Sequence, residues 1–243
     1  MKQLIENISD TARWVAIFRA EESERDDAVF HDPFARRLAG EKGEQIADAI
    51  GFSRQNSWSF VARTYLFDEC IKQHIELGYD MIVNLAAGLD TRAYRMQLPK
   101  TLKWIDVDLP EMINYKNEIL KDEKPTCAYR SIALDLADRN SRLELFQQLN
   151  NEYKKTLVIT EGLMIYLTYE QASELSIDLS AQNHFHRWFC AALRWQRAIR
   201  GLSFSARSRR PSFIRLSSTL PPSITPMSDA FRLASFPRLT GDT

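Results

Sequence analysis

Apolar positions along this chain change period part-way, from helical spacing to short continuous runs. Ile8 to Ala20 (ISDTARWVAIFRA) sets Trp14, Val15, Ile17 and Phe18 in an apolar stripe alongside Arg13 and Arg19, which predicts a helix. In HDPFARRLAG, Pro33 after Asp32 starts a second helix and Gly40 stops it. Trp58 to Leu77 predicts a long amphipathic helix, with Val61, Tyr65, Leu66, Cys70, Ile71 and Ile75 on its buried side and Gly78 as its end. The period then changes. Met81, Ile82, Val83 and Leu85 read as a buried parallel strand. Ala86, Ala87 and Gly88 allow a tight turn, and Asp90 or Thr91 caps the helix expected next. A strand, a small-residue loop and a helix N-terminus with free backbone N–H groups are the parts of a nucleotide site.

The alternation continues. Strands are predicted at Lys103–Asp108, Cys127–Leu134 and Leu157–Glu161, and helices at Pro110–Leu120 and about Arg139–Tyr153. Strand alternating with helix predicts an α/β fold with a doubly wound parallel sheet. Ligands of such sheets lie outside the C-terminal strand ends, and Gly88, Asp108, Asp135 and Glu161 all fall there. Asp108 stands about 20 residues past the small-residue loop, where a ribose-binding acid belongs. Taken singly, each acid is as readily a helix cap or a loop acid; four loops agreeing on one rim weigh towards a site. Arg63 has two readings: a surface arginine whose stem packs on the fold, or a clamp for a ligand carboxylate. Its local sequence favours the first. The missing G-x-G-x-x-G after the first strand disfavours a nicotinamide dehydrogenase.

Length and composition, 243 residues with 44% hydrophobic, place the chain among globular α/β domains. The start lacks the apolar stretch of a signal peptide, and no apolar run approaches the roughly 18 residues of a membrane span. Cys70, Cys127 and Cys190 are far apart and odd in number, which fits a reducing cytoplasm rather than a disulfide framework. The acidic run Glu21–Asp27 reads as a solvated loop or helix end. His184 and His186 lack an apparent third metal ligand, so no metal site is expected. The formal net charge of zero hides a split: residues 187–243 hold ten arginines, no lysine and only two acids, Asp229 and Asp242. Such a change marks a boundary.

The segments SDTARWVAIFRAEES, HDPFARRLAG, FVARTYLFDECI, NLAAGLDTRAYRM, IDVDLPEMINYK, ALDLAD and ITEGLMIYLT resemble, in order and spacing, the S-adenosylmethionine (SAM) dependent methyltransferases of the leucine carboxyl methyltransferase-like group, specifically their bacterial branch. They cover roughly residues 9–187. The resemblance implies a Rossmann-like class I methyltransferase sheet behind an N-terminal helical segment, with SAM as cofactor. It implies that Arg63 grips the methionine carboxylate and that Arg19 adds a basic contact from the N-terminal segment. Ala86 and Gly88 match the loop under the cofactor, Ala86 standing where many methyltransferases carry glycine. Asp108 matches the acid on the ribose diol, Asp135 and Leu136 the pair that reads adenine, and Glu161 the acid near the methionine end. The implied reaction is methyl transfer to a carboxylate of a small molecule or peptide. That acceptor is ionised at pH 7 and needs no general base, and no histidine stands in the core motifs. The alternative is an inactive SAM-binding or interaction protein.

The resemblance stops near Arg187–Trp188, where family members continue with further strands. Strands five to seven are therefore expected to be missing, leaving strand four as an edge. The Arg-, Ser- and Pro-rich remainder reads as translation in a shifted frame, or else as a disordered extension. A nucleic-acid arm is disfavoured, because the arginines are scattered without stacking aromatics. The expected organisation is a helical cap at 1–78, a SAM-binding core at 79–187 and the atypical segment at 188–243. The oligomeric state stays open.

Overall fold

Five parallel strands carry the molecule: β1 (Met81–Leu85), β2 (Lys103–Asp108), β3 (Ala128–Ala133), β4 (Thr156–Glu161) and β5 (Phe185–Ala191), in spatial order β3-β2-β1-β4-β5. The structure is a computed structural model and describes residues 8–49 and 57–191. Helices α1 (Ile8–Ser23), α2 (Ala35–Ala49) and α3 (Ser57–Glu76) precede the sheet. The helices within it are α4 (Arg92–Arg95), α5 (Pro110–Ile119), α6 (Arg139–Glu152) and α7 (Tyr169–Ser180), with a 3-10 turn at Leu163–Ile165. Strand order reverses at β1, from which the chain first winds through β2 to β3 and then crosses to β4. The doubly wound parallel sheet read from the sequence is thus present.

Side chains alternate across a strand, so β1 supplies two cores. Ile82 joins Phe67, Ile71, Trp104, Leu157 and Phe189 on the α3 face. Met81, Val83 and Leu85 join Phe146 and Leu149 of α6, Leu175 and Leu179 of α7, and Trp188 on the other. Both faces are covered, which is why the strand sequences are nearly continuous apolar runs. A third cluster ties Ala16 and Ile17 of α1, Leu38, Ala39 and Ala47 of α2, and Met112 of α5 to Leu89 in the loop after β1. The helical cap is therefore fixed directly onto that loop.

The fifth strand corrects the expectation that β4 is an edge. β5 pairs with β4 from Thr156↔Phe185 to Glu161↔Ala191, crossing the expected boundary at 187/188. Trp188 and Cys190 pack into one core and Phe189 and Ala191 into the other, so β5 needs no charge-based signal to be held. The arginine-rich composition that begins at Arg187 obscured a short apolar strand. Helix α7 was also not read from the sequence. Its Thr168 accepts from the Gln171 N–H while the Gln171 side chain accepts from the Thr168 N–H, a capping box visible as T-x-x-Q. Readings of the chain beyond residue 191, as a shifted frame or an extension, lie outside the described residues. No helix among the described residues is long and apolar enough to cross a membrane.

Gly40, expected to stop the second helix, instead marks a kink at φ 60 within α2. Three residues on, Gly43 lets α2 approach α1. A Cβ there would meet Ala39 Cβ at 2.9 Å, the Arg13 carbonyl oxygen at 3.0 Å and Ile17 Cγ1 at 3.2 Å. Alanine gains about 1 kcal/mol of helix propensity, while overpacking costs about 1–3 kcal/mol. The backbone oxygen cannot swing aside, so Gly43→Ala is expected to lower the thermal midpoint, measured by circular dichroism; a raised midpoint would show that α1 and α2 separate freely.

Candidate functional site

At the C-terminal end of β1 the chain turns through two left-handed residues, Ala86 at φ 54 and Gly88 at φ 52. This conformation is free for glycine but costs alanine about 1–2 kcal/mol. The turn is held from β2. Val107 accepts from the Ala87 N–H at 3.2 Å, Asp108 Oδ2 from the Gly88 N–H at 2.6 Å, and Asp108 Oδ1 from the Leu109 N–H at 2.7 Å. Burial pushes the Asp108 carboxyl above its ordinary pKa, outweighing the two N–H groups that favour its charged form. Register carries the rim onward. Asp108 pairs with Ala133 and its carbonyl accepts from the Leu134 N–H at 2.8 Å, which sets Asp135 two residues past the pairing. Asp135 is exposed and accepts from the Ala137 N–H at 2.9 Å. Leu136 is half-buried, its carbonyl held by Arg142, which is in turn paired with Asp178 of α7.

Arg63 reaches the other end of the rim from α3. It is 5% exposed, its guanidinium carbon lies 5.2 Å from the Phe60 ring centroid, and its Nε donates to Glu161 Oε1 at 2.8 Å. Glu161 stands at the end of β4, and its Oε2 lies 2.8 Å from Arg92 Nη1. Burial alone would raise the Glu161 pKa; Arg92 and then Arg63 outweigh it and hold the carboxyl below the ordinary glutamate value. Arg19 donates to Asp32 Oδ2 at 2.9 Å and to the Leu89 carbonyl at 2.6 Å, so it braces the backbone of the β1 loop from α1. The eight residues assigned by resemblance thus fall into linked groups: Ala86 and Gly88 in the turn held by Asp108, Arg63 with Glu161, Asp135 and Leu136 just past β3, and Arg19 behind the loop.

The expected helix after this loop is a single turn, α4, with the Asp90 carboxylate already on its Arg92 N–H at 2.8 Å. The open helix N-terminus read from the sequence is not formed, because the helix is a single turn and the Asp90 carboxylate occupies its first N–H. Arg92 bonds Asp68 and Asp90, each at 2.6 Å. Arg95 bonds Asp68 at 2.7 Å. Asp90 was read from the sequence only as a helix cap, and Asp68, Arg92 and Arg95 were not singled out; the two arginines spaced i, i+3 on a short helix were the available signal. The histidines are engaged elsewhere, His31 on the Ser23 carbonyl, His74 on Cys70, His184 on Asn150 and His186 on His184. Among the described residues no group of three or more metal-ligating side chains occurs.

The acids of this network set the response to pH. Glu161, Asp90 and Asp178 have folded pKa values below their unfolded ones, so the unfolded chain binds more protons on acidification. Their stabilisation is present above the unfolded values, about pH 4, and is lost as pH falls through the lower folded values. Asp108, raised, acts in the opposite sense but singly. The urea midpoint is expected to hold between pH 7 and 5 and to drop steeply below about pH 4; a midpoint that rises on acidification would contradict the network.

Comparison with known proteins shows the family of the chain. The profile of the family described as leucine carboxyl methyltransferase matches residues 12–179. The chain belongs to the leucine carboxyl methyltransferase family. A Mycobacterium tuberculosis protein named "Putative S-adenosyl-L-methionine-dependent methyltransferase" is 30% identical over 187 residues, covering 71% of this chain and 57% of the relative. A Streptomyces coelicolor protein with the same description is 34% identical over 175 residues, covering 68% and 61%. The chain thus spans less than two thirds of the length of these relatives. A solved structure of the methyltransferase domain of bacterial CtHen1 is 13% identical, covers 51% of this chain and 62% of that one, and has a TM-score of 0.39, too loose a likeness to carry an argument. Every residue of the rim from Gly88 to Glu161, together with Arg19 and Arg63, lies inside the segment matched by the family profile.

Proposed function

We propose that this chain binds SAM along the rim from Arg63 to Asp135 and transfers its methyl group to a carboxylate of a small molecule or peptide. The observation that carries this proposal is the Arg63–Glu161 pair. Arg63 is anchored through Nε alone, and among the described residues its two Nη groups meet no protein acceptor. That edge matches a carboxylate in fork geometry, as an amino-acid end requires. The other residues fit as well. Each Asp108 oxygen accepts one backbone bond and keeps a further lone pair, which suits a ribose cis-diol. Asp135 is exposed with one oxygen outside its own turn bond, which suits an exocyclic amine.

When bound, SAM supplies an electrophilic methyl group on its sulfonium. The chain's part is to fix the reactants and keep water away. Arg63 orients the amino-acid end, Asp108 the ribose, and α1 covers the loop, its Ala12 Cβ 3.6 Å from the point a Gly88 Cβ would occupy. A carboxylate acceptor, supported by the family's description, arrives ionised and asks for no base from these residues. The free cysteines support a reducing, cytoplasmic setting.

Calorimetry with S-adenosylhomocysteine, followed by transfer of labelled methyl from SAM to a panel of carboxylic acids and peptides, tests the proposal. Saturable binding and base-labile methyl ester are expected. Lack of binding overturns the whole; binding without transfer to any acceptor selects the inactive SAM-binding alternative.

A further inference from the structure

Glu161 is divided between two arginines that arrive from different elements. Arg63 of α3 takes Oε1 through Nε; Arg92 of α4 takes Oε2 through Nη1. A lone arginine–carboxylate pair commonly closes side-on, with Nε on one oxygen and an Nη on the other. In that geometry Arg63 would spend an Nη group on Glu161. Arg92 occupies the oxygen that such closure requires.

Arg92 is itself fixed on every side. Its side chain is 3% exposed. Its Nε is held by Asp68, its Nη1 by Asp90 and Glu161, and its Nη2 donates to the Thr64 carbonyl at 3.2 Å. Thr64 adjoins Arg63 on α3, so Arg92 also grips the backbone that carries Arg63. Arg95 holds Asp68 from the same turn, and Asn84 of β1 donates to Asp90 at 2.9 Å. The guanidinium thus joins α3, the β1 loop and the end of β4 at one point. A lysine has no planar fork and cannot satisfy these directions together.

We propose that Arg92 is a positioning residue which, by occupying Glu161 and the α3 backbone, keeps the Nη edge of Arg63 open for the carboxylate of the bound ligand. The proposal rests on the SAM reading above and deepens it: Arg92 acts on the amino-acid end of the ligand and leaves the adenosine end alone.

Two probes separate those ends. S-adenosylhomocysteine carries the carboxylate; 5′-methylthioadenosine has the same adenosine and thioether but no amino-acid group. Affinities of both are measured by calorimetry on the full chain, on Arg92→Lys and Arg92→Gln, on Arg63→Ala, and on Arg63→Ala combined with Arg92→Lys. The expected result is that the Arg92 variants lose about 10-fold or more of S-adenosylhomocysteine affinity, while methylthioadenosine moves less than about twofold and so certifies a folded adenosine site. The double variant is expected to bind S-adenosylhomocysteine no more weakly than Arg63→Ala alone, since the two act on one contact. Parallel loss of both probes in both Arg92 variants makes Arg92 merely structural and overturns the proposal, as do additive losses or an unchanged probe preference. If the unaltered chain binds neither probe, the SAM reading fails and this inference falls with it; if it binds both and only the variant pattern is absent, the inference alone fails.

Discussion

Arg63→Ala is expected to weaken S-adenosylhomocysteine binding by about 100-fold, or roughly 3 kcal/mol. The magnitude follows from burial. Arg63 is 5% exposed, so a carboxylate that reaches it is desolvated and depends on the arginine for compensation. Truncation leaves that charge buried without its partner, which is the costly case. Folding should be hurt less than binding, because Glu161 keeps Arg92 on its other oxygen. The urea midpoint and the calorimetric affinity therefore separate the two effects. Arg63→Lys restores the charge without the fork and should recover only part of the affinity. An affinity within about threefold of the unaltered chain would remove Arg63 from the ligand and with it the main support for the proposed function.

The same arginine shows which parts of the molecule were legible before its structure. The strands β1 and β2 were read with their observed limits, Met81–Leu85 and Lys103–Asp108, because a continuous apolar run bounded by turn residues is a local signal. The rim was legible for the same reason: strand ends and the acids after them are adjacent in sequence. The partner of Arg63 stands 98 residues away, and nothing near Arg63 announces it; local pattern favoured a surface arginine, and only the resemblance argued otherwise. Asp68 and Arg92 are likewise 24 residues apart. Ala86 was visible as an alanine, whereas its φ of 54 is set by the bonds that β2 makes to the following residues. The fifth strand failed for another reason. Its apolar residues are packed on both faces, but they follow directly on a change of charge composition that was taken for the end of the sheet.

Asp106 and Asp108 show how far pattern alone can go. Two residues apart on β2, they share a facing, and only the place of Asp108 at the strand end, about 20 residues past the small-residue loop, set it ahead in the sequence. The structure gives them different work. Asp108 ends the strand at the rim and holds the Gly88 turn. Asp106 lies inside, 1% exposed. Its Oδ2 accepts from Lys116 Nζ at 2.7 Å and from the Tyr129 hydroxyl at 2.9 Å, and its Oδ1 from Trp104 Nε1 at 2.8 Å. The Lys116 side chain is itself 1% exposed, so its ammonium has exchanged water for this one carboxylate.

Asp106→Ala is therefore expected to destabilise the chain by about 3–5 kcal/mol, the range for breaking a buried pair by removing one partner. That is a large share of the roughly 5–15 kcal/mol available to a domain. Three donors lose their acceptor at once, and one is a full charge with no route to solvent short of opening α5 from β2. Asp106→Leu combined with Lys116→Met removes both charges and should recover much of the loss, since a buried ion pair is often no better than apolar side chains of similar volume. Tyr129 and Trp104 still lose a partner, so recovery should stop short of complete. Urea unfolding of the three forms decides the matter. If the single variant lost less than about 1 kcal/mol, Lys116 would have to reach water without Asp106, and the pair would be ornamental to the sheet. If instead the double variant were as unstable as the single one, the cost would lie in the lost hydrogen bonds of Trp104 and Tyr129 rather than in the stranded ammonium.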